Sequence, residues 1–324
     1  MMTKKKVLIT GGLGFIGVHC VERWKDEGWD ICVVDNKSAN TVDSLFDGVE
    51  IIESNLLDLD WKDLPKVDLV LHLAAPVGPV GVLKHSGTMA KLILEDIYWA
   101  IEGAKYNNCP LVHISTSEIY GYREDKSYLA EVGDKVLHGD YTVRNEYAIA
   151  KLLSEIVISN RAKIDPDFRY QIIRPFNVTG KHQLPNGGFV LPRFVQQALN
   201  GEDITVYYDG LQLRAFTWAK DIVDGIYLAS TASEENWNEE WNVGNEKNER
   251  TILYLAQRVK EITGSDSKIA NVDPVELHGP LFAEAPEKIP NSEKIKERLG
   301  WKATKGVDEV IAEVVEYYQN KNNQ

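Results

Sequence analysis

Two short stretches of this chain carry residue types that could do proton chemistry. RNEYAIAKLLSE (144–155) places Tyr147 and Lys151 four apart in a strongly helical segment, so both side chains project from one face, about a turn apart. A tyrosine with an ordinary pKa of ~10 is a poor base at pH 7. A cation beside it stabilises the phenolate, and lowering the pKa by ~3 requires roughly 4 kcal/mol of differential interaction. In that state Tyr147 can take a proton from an alcohol. The second stretch, HISTSEIYGY (113–122), closes an apolar run and then sets Ser115, Thr116, Ser117 and Glu118 in a row. Three hydroxyls and a carboxylate there make either a polar turn or a set of catalytic groups on a strand tip. Tyr–Lys pairs at this spacing are common on ordinary helices, so the pair gains meaning only from what surrounds it.

What precedes it is TGGLGFIG (10–17), with Gly11, Gly14 and Gly17 directly after an apolar strand and before a helix-like stretch. Glycines in that context let the backbone turn tightly and bring a pyrophosphate against the helix N-terminus, whose free N–H groups and dipole favour anions. The next strand ends in Asp35, eighteen residues past Gly17. A carboxylate there can accept both ribose hydroxyls of NAD and repels the 2′-phosphate of NADP. The combination predicts a bound NAD, whose positive nicotinamide ring would add to Lys151 in stabilising a Tyr147 phenolate.

These groups need a frame, and the first half supplies one. VLIT (7–10), ICVVD (31–35), VEII (49–52), DLVLHLA (68–74), PLVHIS (110–115) and YQIIRPF (170–176) are apolar strand candidates, with helical stretches at Val18–Glu27, 88–107 and 145–162. Continuous apolar strands alternating with helices imply βαβ units and an α/β, Rossmann-type, doubly wound parallel sheet. After about residue 178 the pattern loosens. Helices are expected at Leu191–Asn200, Asp221–Ala229, Leu253–Thr263 and Ser292–Leu299, with one more closing the chain, and a strand at 204–208. Residues 265–290 carry four prolines and read mostly as loop. The expected division is a dinucleotide-binding core over 1–177 and a smaller substrate-binding lobe over 178–324, with segments of about 215–245 returning to the core.

Composition narrows the classes. A formal net charge of −13 over 324 residues argues against general binding to nucleic acid or anionic membranes. The basic N-terminus runs into an apolar stretch that breaks at Gly11 and Gly12, too soon for a signal peptide, and no run approaches the ~20 apolar residues of a membrane span. A cytoplasmic protein is expected. Cys20, Cys32 and Cys109 are scattered, without metal or disulfide spacing. They read as buried, inert thiols, and no metal is expected.

TGGLGFIG, VVDN, VDLVLHLAA, STSEIYG, YAIAK, RPFNVTG, RAFTWAKDIVDGI and WNVGN together, in this order along nearly the whole chain, resemble the extended short-chain dehydrogenase/reductase family, specifically its nucleotide-sugar epimerases, dehydratases and decarboxylases. The resemblance implies tightly held NAD and a nucleoside-diphosphate sugar, a UDP-sugar above all, in the cleft beneath the C-terminal lobe. Carried over by position, the cofactor would meet Gly11, Gly14, Phe15, Ile16, Gly17, Asp35 and Asn36, with Asp58 and Leu59 against the adenine. Leu73, Ala74 and Ala75 would line its phosphates and ribose, followed by Ser115, Tyr147, Lys151 and Pro175. Thr116 would hold the reacting sugar hydroxyl with Tyr147, beside Ser117. Asn177 and Arg214 would meet the diphosphate or sugar, and Arg193 is a further diphosphate candidate set against a plain solvated helix residue. Without the family, Arg214 reads as a surface ion pair. Relatives pair the helices at 88–107 and 145–162 into a homodimer; burial within one monomer is the alternative.

Three departures from the family pattern stand out. Asp96 occupies the place of a usual asparagine, APVGPVG (75–81) suggests a reshaped loop over the cofactor, and Asn291 replaces a usual aspartate.

The shared first step of such enzymes is oxidation at the sugar's fourth carbon. Dehydratases typically carry Asp-Glu after the threonine; here Ser117 replaces the acid, and a serine is a poor general acid at neutral pH. Thr-Ser-Glu-Ile-Tyr-Gly resembles UDP-glucuronate decarboxylases, in whose bacterial type an arginine matching Arg214 is thought to assist. Against this, the UDP-xylose-forming type carries Tyr-Asp-Glu-Gly-Lys where this chain has Tyr-Ala-Ile-Ala-Lys. A UDP-sugar 4-epimerase, with Glu118 purely structural, is the alternative. A non-catalytic NAD sensor is a third reading, disfavoured because such relatives commonly lose the Tyr–Lys pair.

Overall fold

The computed structural model describes residues 4–39, 41–42, 47–121, 128–133, 135, 141–285 and 287–322. Tyr122, at the end of HISTSEIYGY, lies outside them. The first half builds β1 (Lys6–Thr10), α1 (Phe15–Asp26), β2 (Asp30–Asp35), β3 (Glu50–Glu53), β4 (Leu69–His72), α2 (Gly78–Lys84), α3 (Met89–Asn107), β5 (Leu111–Ile114), α4 (Val143–Ile164) and β6 (Tyr170–Pro175). The second builds β7 (Val178–Thr179), α5 (Val190–Asn200), β8 (Ile204–Tyr207), β9 (Leu213–Ala215), β10 (Thr217–Trp218), α6 (Ala219–Ser230) and β11 (Glu239–Val243). It continues with β12 (Glu249–Thr251), α7 (Ile252–Thr263), β13 (Ile269–Val272), α8 (Pro274–His278), α9 (Glu293–Leu299) and α10 (Val307–Asn322).

A seven-stranded parallel sheet runs in the order β11-β6-β5-β4-β1-β2-β3. Its central strands are buried on both faces, which is why they read as unbroken apolar runs. One face packs a core around Trp24, Trp241 and Trp301; the other packs one around Trp61, Trp99 and Ile97. The strand order reverses between β1 and β4, so the carboxyl ends of those strands open onto the crevice where open α/β sheets place ligands. A third core joins α5, α7, α10 and β8 through Phe194, Val206, Leu255 and Ile311.

Three sequence expectations change. α1 starts at Phe15, three residues earlier than its apolar pattern suggests, so Phe15, Ile16 and Gly17 form its first turn. Part of APVGPVG is helix: Gly78 enters with φ +76° and Pro79 sits in the first turn, where its missing N–H costs nothing. Val82 then packs with Met89, Ile93 and Tyr147, a tertiary reason that composition does not reveal. The Pro-rich 265–290 segment holds β13, which pairs in parallel with β8, and α8. The seventh strand, β11, lies at the sheet edge against β6, and α6 packs on α1. Among the described residues, no helix is long and apolar enough to cross a membrane.

Candidate active site

The glycine loop is shaped by steric necessity. Gly11 holds φ +68°, and a Cβ there would lie 3.0 Å from the Ala74 backbone. At Gly17 a Cβ would fall 2.1 Å from the Gly11 carbonyl oxygen, so the first turn of α1 packs directly on the loop. Gly14 stands immediately before α1. The backbone thus comes close to a helix N-terminus with no side chain in between, the shape a pyrophosphate requires.

Asp35, at the tip of β2 and nearly buried, accepts the Leu13 N–H at 2.9 Å and the Lys37 N–H at 2.7 Å. Its carboxylate therefore ties the glycine loop to the end of β2. Beside it the Asn36 amide donates to Asn55 at 3.0 Å, and Asn55 donates to Asp58 at 2.9 Å, forming a polar rim along β2 and β3. Leu59 packs partly buried behind that rim, its carbonyl accepting the Trp99 indole N–H at 3.0 Å. The backbone N–H groups of Leu73 and Ala74 donate to the Thr10 hydroxyl oxygen at 3.1 and 3.0 Å, and Ala75 follows them at the edge of the α2 core. With two donors on its oxygen, the Thr10 hydroxyl in turn donates its O–H in a hydrogen bond to His72 Nδ1 at 2.9 Å. Thr10 was not singled out in the sequence, yet it joins the two loops that flank the crevice. A continuous cradle of glycine backbone, Asp35 and the β4 loop fits a dinucleotide.

HISTSEIYGY is both a turn and a site. After β5 the chain makes a 3-10 turn over Ser117–Tyr120, and Thr116 caps it by accepting the Glu118 N–H at 3.1 Å. The Thr116 and Tyr147 hydroxyls hydrogen-bond to each other. Lys151, buried one turn along α4, donates from Nζ to the Ile114 carbonyl at 2.9 Å. Ser115 is buried, donating its hydroxyl to Glu155 and its N–H to the Ile173 carbonyl. Glu155 also receives Arg174 through two nitrogens, and Arg174 donates to Tyr120 at 3.0 Å, anchoring the strand tip from below. Ser117 is buried, and Pro175 ends β6 opposite Val243.

The electrostatics revise one expectation. Burial pushes the Tyr147 phenol well above its ordinary value; the bond to Thr116 lowers it only in part, and the Glu118 charge raises it further. Lys151 is itself lowered to about 8, by burial against the pull of Asp96 and Glu155. The chain alone therefore keeps Tyr147 protonated. Asp96 is raised to about 6, by burial first, with Lys151 opposing and Glu95 adding.

On the far side of Thr116 the structure gathers charges. Burial opposes the Glu118 carboxylate, but Lys288, Arg144 and Arg214 together outweigh it and hold its pKa down to about 2. Lys288 Nζ donates to Glu118 Oε1, and Arg144 Nη1 lies 3.3 Å from the same oxygen. Arg214 is buried rather than a surface ion pair, shared between Glu284 and the Ala285 carbonyl, both at 2.7 Å. Asn177, with φ +39°, donates to the Ala215 and Lys288 carbonyls at 3.4 Å. Arg193 is stacked 4.1 Å over the Tyr207 ring, donates to the Thr205 carbonyl at 3.1 Å and feels the charge of Glu284, so it is not a freely solvated helix residue. Arg144 was not singled out from the sequence, although its place three residues before Tyr147 on the same helical face is a signal that could have found it. Lys288, in the Pro-rich tail, gave no signal.

The sequence profile of the NAD dependent epimerase/dehydratase family matches residues 7–244, and the chain belongs to that family. It is an NAD-dependent enzyme that modifies nucleotide sugars. The UDP-N-acetyl-alpha-D-glucosaminuronate decarboxylase of Bacillus cytotoxicus is 30% identical over 99% of both chains. The UDP-glucuronic acid decarboxylase 1 of Danio rerio is 27% identical, covering 98% of this chain and 73% of its own. Among solved structures, the UDP-glucose 4-epimerase of Thermotoga maritima with UDP-glucose superposes with a TM-score of 0.86 at 26% identity, covering 98% and 99%.

Proposed function

We propose that this enzyme oxidises the fourth-carbon hydroxyl of a UDP-linked uronic acid and then decarboxylates it, in the manner of UDP-glucuronate decarboxylases. One observation carries the reading: beside the Thr116–Tyr147 pair stand a buried serine and a glutamate held ionised at a pKa of about 2. Neither can protonate a departing hydroxyl at neutral pH, which leaves 4,6-dehydration without its acid. Decarboxylation needs no such acid. NAD supplies the two-electron oxidation of the alcohol carbon and its reversal. Gly11, Gly14, Phe15, Ile16, Gly17, Asp35 and Asn36 hold it, with Asp58, Leu59, Leu73, Ala74, Ala75 and Pro175 along its length. Tyr147 takes the proton of the hydroxyl that Thr116 orients, and Lys151 sits behind them. A 4-keto uronate is a β-keto acid: when the carboxyl–carbon bond breaks, its electron pair passes to the keto oxygen, carbon dioxide leaves, and the resulting enolate takes a proton from water at the fifth carbon. Decarboxylase relatives that align with 91–99% of this chain support this reading.

The second reading is a UDP-sugar 4-epimerase, favoured by the epimerase superposition at 26% identity. It needs only Thr116, Tyr147, Lys151 and room for the keto sugar to rotate. Incubating the protein and NAD with UDP-glucuronate, UDP-N-acetylglucosaminuronate, UDP-glucose and UDP-N-acetylglucosamine separates the two. A product lighter by carbon dioxide supports decarboxylation. Unchanged mass with inverted stereochemistry makes it an epimerase, and no conversion of any of the four sinks both.

We also infer a homodimer through α3 and α4, whose outward sides expose Tyr98, Ile149 and Ile156. Replacing Ile149 and Ile156 by glutamate is expected to halve the mass measured by light scattering; an unchanged mass rejects this interface.

A further inference from the structure

A line of buried polar groups runs behind the Thr116–Tyr147 pair and takes no part in the chemistry proposed for it. Glu155, four residues after Lys151 on α4, accepts the Ser115 hydroxyl and two nitrogens of Arg174, Nε at 3.1 Å and Nη2 at 2.6 Å. The third nitrogen, Nη1, donates to the Tyr120 hydroxyl at 3.0 Å and to the Glu131 carbonyl at 3.4 Å. Tyr120 donates onward to Asn242 Oδ1 at 2.7 Å. From β11 the Asn242 amide donates to the Leu129 carbonyl at 2.7 Å and to the Asn291 carbonyl at 3.4 Å. Leu129 completes the line: its N–H donates to the Ile289 carbonyl at 3.0 Å, and its carbonyl accepts the Asn291 N–H at 2.9 Å. Of Ser115, Tyr120, Glu155, Arg174 and Asn242, none is more than 5% exposed.

Stability alone does not account for such a line. Withdrawing an ion pair and a row of hydroxyls and amides from water is costly, and apolar side chains of similar volume often stabilise a core as well or better. What the polar version supplies is direction, because its bonds are all satisfied in one arrangement of the parts they join. Those parts are the ones that carry the site. Ser115 precedes Thr116, Tyr120 follows Glu118 by two residues, Glu155 follows Lys151 by four, and Ile289 follows Lys288. The strand tip, the helix α4 and the 288–291 segment are distant in sequence and are tied here through one buried path. We infer that Glu155, Arg174, Tyr120 and Asn242 are positioning residues: they hold the Thr116 hydroxyl in register with Tyr147 and seat the 288–291 segment against the same strand tip. This deepens the proposed function and rests on its choice of Thr116 and Tyr147 as the reacting pair.

Tyr120→Phe keeps the ring and removes the hydroxyl that joins Arg174 to Asn242. Deuterium exchange of the NAD-loaded, full-length protein, followed by mass spectrometry, reads the consequence without turnover. Exchange in the peptides covering 111–121 and 287–293 is expected to rise together by about tenfold, the ratio that loss of one buried hydrogen bond produces, while β1 and β2 stay as in the parent. An equal rise everywhere, or a rise at 111–121 with none at 287–293, overturns the inference. Turnover of the UDP-sugar that the parent converts gives the second readout. There kcat is expected to fall about ten- to a hundredfold, the cost of a misplaced reacting group, with KM changed by less and NAD affinity unchanged. A lowered melting temperature with kcat intact marks a merely structural role and also overturns the inference. If Tyr120→Phe does not fold, the unsubstituted protein decides. In low urea its amides at 111–121 and 287–293 should open as one unit before β1 and β2 do, and separate openings reject the link. The two proposals fail separately. Paired exchange in a protein that converts no UDP-sugar keeps the positioning line and rejects the reaction; conversion with kcat intact in Tyr120→Phe does the opposite.

Discussion

The two sides of the crevice are built by different means. The side we assign to the cofactor is mostly backbone: the loop 10–17, the tip of β2 and the β4 loop, shaped by missing side chains and tied by Asp35 and Thr10. The side where we propose the substrate binds is made of long charged side chains, Glu118, Arg144, Arg214, Glu284 and Lys288, drawn from four separate stretches of chain. A backbone cradle demands particular residues at particular spacings, because one Cβ in the wrong place destroys it. A charge cluster demands only that opposite charges meet, and many arrangements achieve that. The first kind of site leaves a motif in the sequence, and the second leaves almost none.

Tyr147→Phe tests whether the two sides are separable and has the largest expected effect. Removing a positioned acid–base group costs about 10²–10⁴-fold in rate. Turnover should fall by that factor while NAD and UDP-sugar affinities stay unchanged. A variant that keeps its rate would remove Tyr147 from the chemistry and return the strand tip to a structural role.

Gly17→Ala attacks the cofactor side alone. Its Cβ would overlap the Gly11 carbonyl, so the loop must shift. We expect NAD affinity to drop by about tenfold or more, in line with the 1–3 kcal/mol typical of overpacking. UDP affinity should hold, since the charged cluster is not touched. Loss of both together would mean that the two sides are one cooperative unit.

Asp96→Asn probes the boundary between them, with the smallest effect. The folded pKa of Asp96 is raised to about 6 from 3.8. Between those values the folded state keeps a proton that the unfolded state has lost, so this group makes stability fall as pH rises through the window. Asp96→Asn should therefore raise the unfolding midpoint above pH 6, by roughly 2–4 °C for about 1 kcal/mol, and leave it unchanged below pH 4. A gain that is equal at both pH values would show that Asp96 is not protonated there.

The reading of the sheet from sequence succeeded where burial on both faces forces unbroken apolar runs, as in β1, β2, β4 and β5. It faltered where partners are distant. β13 is recognisable only once β8 lies beside it, and α2 hides in a proline- and glycine-rich stretch because Val82 finds its core in Met89 and Tyr147. In the site, Tyr147, Lys151 and Thr116 were legible because one helical face and one strand tip present them. The placement of Arg193 on Tyr207 was not, since stacking leaves no spacing to read.

By itself the sequence determined what is local: the glycine loop, Asp35 at the end of its strand, the Tyr–Lys turn and the capped tip at Thr116. These follow from sterics and from the periodicities of helix and strand, which act over a few residues. Only the tertiary structure decided that the Tyr147 phenol is pushed up and the Glu118 carboxyl held down. Both depend on burial and on cations that the fold brings from far along the chain, and Coulomb forces depend on distance in space, not in sequence.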